Sequence, residues 1–132
     1  MQLNYYMTTF ALCKIEAIQG QQEFDKLIIN DRCPFDEFEN TVKSLYPSEL
    51  ISIYRCMQDV ANLKSLPFAK FHFYDKGTNG IREFEFKSKH LRVYGITKPN
   101  GKIIITGGTK SKQKKDQNEF RHIKDQYLAS LK

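Results

Sequence analysis

Four lysines, Lys110, Lys112, Lys114 and Lys115, fall within six residues and have no apolar neighbour between them. Ammonium groups spaced this closely can neutralise successive phosphates of a nucleic acid and release its condensed counterions. A solvated, charge-rich loop is the other reading of the same residues. Their place directly after Gly107-Gly108, at the mouth of a sheet, favours phosphate contact. The glycine pair lacks the GxxxxGK[ST] spacing of a phosphate-cradling loop and reads as a bend that ends a strand.

Arg92 and Tyr94 form a second constellation. Alternation places them on one strand face, beside a neighbouring strand face that carries Lys70, His72 and Tyr74. Cationic and aromatic side chains on one sheet face can hold phosphates and stack bases together. An ordinary half-exposed strand face would have the same composition. His72, His90 and His122 have neither helical i, i+4 spacing nor a cysteine or acidic partner in ligand register, so no metal site is expected. All three read as surface residues, His72 being the one whose face also carries Lys70. Glu83 and Glu85 share a strand face and serve either as general bases or to solvate that side. No serine lies in a GxSxG elbow, which leaves a triad hydrolase without support.

The elements that must position these residues follow from periodicity. Thr8 to Ala17 reads as an opening strand, and Glu23 to Asn30 as a short helix or a strand. Phe35, Phe38, Val42 and Leu45 mark one helix, begun by Pro34 and ended by Pro47. A longer helix follows, with Ser48 as N-cap and Leu50, Ile53, Tyr54, Met57, Val60 and Ala61 along one side. Strands are expected at Phe68 to Tyr74, Ile81 to Phe86, Leu91 to Thr97 and Lys102 to Thr106. Turns fall at Gly77, Asn79 and Gly80, at Ser88-Lys89, and at Pro99-Asn100-Gly101. Asp116 reads as the N-cap of a closing helix that carries Phe120, Ile123, Tyr127 and Leu131. The fold class is α+β: an antiparallel sheet with an N-terminal strand, a helical hairpin on one face and a C-terminal helix. Such a meander would leave its other face open to solvent or a ligand.

The chain has 132 residues, is 40% hydrophobic and carries a net charge of +6, which predicts one domain with its own core and polyanionic partners. Cys13, Cys33 and Cys56 are odd in number and widely spaced, as expected of inert thiols in a reducing cytoplasm. No apolar run approaches the ~20 residues of a membrane span, and no export signal is read at the start.

Taken together, the order of elements and these residues resemble the RelE/ParE/HigB superfamily of type II toxin–antitoxin toxins, with the HigB-like branch favoured. The similarity is best from Phe35 to Ala129. Leu91-Arg92-Val93-Tyr94 matches the family's "YRVxY" strand. Its lysine run, "FxKKTQKTPxxEI", aligns without gaps: Lys110 falls on the first lysine, Gln113-Lys114 on QK and Glu119-Phe120 on EI. Gly108 stands in place of the aromatic and Ser111 in place of the second lysine, with Lys112 next to it. The arginine of the first sheet segment falls at Glu85 or Lys87. Residues 1–34 form an extended N-terminal part, longer than in compact members from Gln19 to Cys33.

The resemblance implies a RelE-like domain over residues 1–132 that cleaves mRNA on the translating ribosome without metal or cofactor. The 2′-OH attacks the adjacent phosphate, with Arg92 and Lys110 as transition-state stabilisers and His72 among the acid–base candidates. Lys70, Tyr94, Lys112, Lys114 and Lys115 would hold the RNA. The implied partners are a cognate helix-turn-helix antitoxin, mRNA and the ribosome. A ParE-like gyrase inhibitor and a non-catalytic nucleic-acid-binding module are the alternatives.

Overall fold

The computed structural model describes residues 7–74 and 80–132. Their order is β1 (Phe10–Lys14), β2 (Glu23–Ile29), α1 (Pro34–Val42), α2 (Pro47–Ala61), β3 (Phe71–Phe73), β4 (Glu83–Lys87), β5 (Leu91–Lys98), β6 (Gly101–Thr109), one 3₁₀ turn (Lys110–Lys112) and α3 (Gln113–Ser130). The strands form one sheet in the order β1-β2-β6-β5-β4-β3. All neighbours are antiparallel except β2 and β6, which run parallel. The fold is the expected α+β class.

The segment left open between helix and strand is strand β2. Phe24 and Ile28 pack on one side of it, Leu27 and Ile29 on the other. A strand buried on both faces has a nearly continuous apolar run, which periodicity cannot tell from a short helix. With β1 it forms a hairpin that extends the sheet beyond β6, so the longer N-terminal part adds two strands rather than one. Pro47 starts α2 instead of ending α1, and Ser48 is not the N-cap; α1 ends at Val42. Proline at N1 gives up no intrahelical bond. The third strand is short, leaving Lys70 in the turn before it. Of the predicted turn Gly77, Asn79 and Gly80, the first two lie outside the described residues, while Gly80 has φ +79°. Asn100 turns the β5–β6 hairpin with φ +58°.

Both sheet faces are covered near the centre, contrary to the open face expected. Helices α1 and α2 cover Phe24, Phe84, Phe86, Leu91, Val93 and Ile104. Helix α3 lies on the opposite face, where Phe120, Ile123 and Tyr127 pack over Leu27, Tyr94, Ile96, Ile103 and Ile105. The β5–β6 register shifts between Tyr94 and Gly95, where Tyr94 pairs with Thr106 and Gly95 with Ile104. No helix among the described residues is long and apolar enough to cross a membrane.

Candidate functional site

Strand β6 continues through Gly107 and Gly108 to Thr109, so the glycines do not end it. They permit close approach instead. A Cβ on Gly107 would lie 2.7 Å from the Phe38 ring, and one on Gly108 only 1.9 Å from Asp116 Oδ2. The Asp116 side chain thus occupies the space that a residue-108 side chain would need. Asp116 is in the first turn of α3 and is not its N-cap, since the helix begins at Gln113. Burial pushes its carboxyl up from the usual range, assisted by Glu119.

The lysine run is correspondingly helical rather than a loop. Lys110 and Lys112 belong to the 3₁₀ turn and Lys114 and Lys115 to the start of α3. Cations at a helix N-terminus oppose the macrodipole, typically by a few tenths of a kcal/mol each. Helix stability therefore does not account for this clustering. Lys112, Lys114 and Lys115, with Ser111 and Asn118, line a shallow depression of about 550 Å³.

Arg92 lies across the ladder from both Lys87 and Gly108. It is only 7% exposed. Its Nη1 donates to Ser88 O at 2.6 Å and Leu91 O at 2.7 Å, whereas its Nε–H is buried with no partner among the described residues. The side chain lines a cavity of about 800 Å³ between α2 and the β4–β5 turn, together with Arg55, Lys70, Lys87, Lys89 and Lys110. Two carboxylates share these walls, Glu49 and Asp59, and Asp59 is 3.7 Å from Lys64. None of the ion pairs among the described residues engages the six cations. Cations gathered on one cavity with no ion-pair partner among the described residues make it a candidate anion site.

Glu49 holds one rim of this cavity. It accepts from Ser88 Oγ, from the His90 backbone N–H at 2.7 Å and from His90 Nδ1 at 2.6 Å. Burial disfavours its ionised form, but these hydrogen bonds and the nearby His90 more than offset that and bring its pKa down to about 2. Lys110 N–H donates to His90 O at 2.8 Å, tying the lysine run to the same turn.

Arg92, Lys110 and Lys70 thus meet in one cavity. Lys87, not Glu85, is the residue of the first segment that joins them. Tyr94 does not: it is fully buried with its ring stacked on Phe120 at 5.5 Å, and in this position it cannot stack on a base. Its hydroxyl has no partner among the described residues, and burial, with Glu85 and Asp116 nearby, pushes its pKa up. His72 stacks on Phe68 at 4.0 Å and lies 3.7 Å from Glu85, beside a separate cavity that also holds Lys102. Both acid candidates on β4 are engaged internally. Glu83 pairs with Arg121 and Lys124, and Glu85 accepts from Tyr74 and Gln113. His122 is exposed on α3. Arg55 was missed because the helical period of α2 identifies only its apolar side. The Glu49–His90 pair joins residues 41 apart and left no signal in spacing.

No group of three or more metal-ligating side chains is found among the described residues. No family model, curated protein or solved structure matches the chain.

Proposed function

We propose that this protein is the toxin of a type II toxin–antitoxin module, an endoribonuclease that cleaves mRNA on the translating ribosome. The observation that carries this reading is the convergence of Arg92, Lys110 and Lys87 on one cavity, with no ion-pair partner for any of them among the described residues. Arg92 and Lys110 lie in the strand and lysine motifs that resemble the RelE/ParE/HigB superfamily, and Lys87 lies near the position of the arginine of its first sheet segment. The cleavage needs no metal, because the substrate supplies its own nucleophile. The 2′-oxygen attacks the adjacent phosphorus, the bond to the 5′-oxygen breaks, and negative charge grows on the non-bridging oxygens. Arginine and lysine stabilise that charge, and their positions fixed by the sheet and the turn require little reorganisation. Arg92 and Lys110 take this role with Lys87 beside them. Lys70, Lys112, Lys114 and Lys115, all exposed, hold the flanking phosphates. A helix-turn-helix antitoxin is the partner that would silence the site.

Purified protein added to a translation extract tests the reading. Transcripts should shorten only when ribosomes are present, and intact transcripts with the wild-type protein would sink it. Accumulated gyrase–DNA complexes with untouched mRNA would select a gyrase poison instead. A salt-sensitive RNA shift without products would select a binding module.

A further inference from the structure

The nuclease reading leaves open which group moves the proton, and the acids on β4 are already engaged. His90 is different. It sits in the β4–β5 turn with Ser88, whose carbonyl receives Arg92 Nη1 at 2.6 Å and whose hydroxyl donates to Glu49. Glu49 in turn receives the His90 ring at 2.6 Å, and His90 O receives the Lys110 N–H at 2.8 Å. One short turn therefore ties Arg92, Lys110 and His90 together through hydrogen bonds. A carboxylate only accepts, so Nδ1 carries the proton toward Glu49, and in the neutral ring Nε2 is then the nitrogen with the lone pair. No hydrogen bond among the described residues engages Nε2, and the side chain is 44% exposed. The ring face is held by Tyr46, stacked at 4.7 Å.

We infer that His90 is the general base of the cleavage proposed above, with Glu49 as the positioning residue that fixes its tautomer. The inference rests on that reading. Nε2 takes the proton of the 2′-OH as the 2′-oxygen bonds to phosphorus. The phosphorus–5′-oxygen bond breaks, the 5′-oxygen takes a proton from solvent, and a 2′,3′-cyclic phosphate and a 5′-hydroxyl remain. Glu49 hydrogen-bonds the ring and Tyr46 stacks on it, with Lys89 adjoining in the chain and the Lys110 backbone bonded to His90 O.

The test measures cleavage on programmed ribosomes from pH 5.5 to 9 for the wild type, His90→Gln, His90→Gly and Glu49→Gln. His90→Gln should lose about 100-fold or more. It should also lose the fall in rate that the wild type shows toward acid pH. Added imidazole should restore part of the rate to His90→Gly, which a merely structural role of the turn would not allow. Glu49→Gln should lose about tenfold and keep a displaced pH profile. A His90→Gln rate within threefold of wild type would overturn the inference and leave the nuclease reading intact, whereas an inert wild type would remove both. Should either His90 variant fail to fold, carbethoxylation of the wild type with mass mapping decides. Activity lost in step with His90 modification supports the role, and activity retained after its modification overturns it.

Discussion

At one end of β4, Glu83 is held by Arg121 at 3.0 Å and Lys124 at 2.6 Å, and Glu85 accepts from Tyr74 at 2.6 Å and Gln113 at 3.2 Å. At the other end, Lys87 and Arg92 across the ladder have no carboxylate within ion-pair reach among the described residues, although they belong to the same face of the same two strands. The difference lies in where α3 runs. Its body lies over Tyr94 and Ile96 and brings Arg121 and Lys124 onto Glu83, while its first turn sets Asp116 against Gly108, across the ladder from Arg92, without an ion pair to it. Charge under the body of the helix is matched by the helix, and charge beside its first turn is not. Internal pairing gives the first region a structural part, and its absence makes the second the candidate site.

Substitutions in the two regions should therefore separate activity from stability. Arg92→Gln or Lys110→Ala should lower mRNA cleavage by about 10²- to 10³-fold, as loss of a transition-state donor does elsewhere. Glu83→Gln should leave cleavage within threefold and lower the melting temperature, and equal loss of cleavage from both ends would break the comparison. The start of α3 can be displaced directly. Gly108→Ala forces a methyl group onto Asp116 and should cost about 2–3 kcal/mol in chemical denaturation, an overpacking effect that Asp116→Ala in the same chain should largely relieve.

The Glu49 anchor makes a pH prediction. Its pKa is depressed in the folded protein, from 4.5 to about 2, so the stabilisation is fully present above about pH 4.5 and is lost as pH falls toward 2. Allowing for solvent screening, the gap in stability between wild type and Glu49→Gln should shrink by about 1–2 kcal/mol across that window. A constant gap would show that the carboxylate does not anchor the turn. The smallest effect is expected at the lysines of α3's start. Replacing Lys112, Lys114 and Lys115 with alanine should reduce the slope of log affinity against log salt for single-stranded RNA by roughly 2, at about 0.7 per phosphate contact. An unchanged slope would place RNA elsewhere.

Much of this arrangement was legible from residue types. The two amphipathic helices, the β5–β6 hairpin at Asn100 and the apolar side of α3 all follow from local periodicity and turn chemistry, which act over a few residues. Arg92 and Lys110 were readable separately, from strand alternation and from the lysine run, and were joined only by the family resemblance. What could not be read depends on contacts distant in sequence. Whether α3 would cover the sheet, burying Tyr94 under Phe120, depends on a docking that alternation does not encode. The assignment of β2 needed its parallel pairing with β6, 78 residues away, from Glu23↔Gly101 to Lys26↔Ile104. His90 read as a surface residue because its partner, Glu49, lies on another element. Gly108 read as a bend because Asp116 folds back over it only once α3 is formed.

The central claim is that the unpaired cations around Arg92 stabilise a phosphate undergoing attack by its own 2′-oxygen. End analysis of mRNA cut on programmed ribosomes tests it most directly. The wild type should leave upstream fragments ending in a 2′,3′-cyclic phosphate and downstream fragments beginning with a 5′-hydroxyl, and Arg92→Gln should leave neither. Fragments with a 3′-hydroxyl and a 5′-phosphate, or undiminished cleavage by Arg92→Gln, would contradict it.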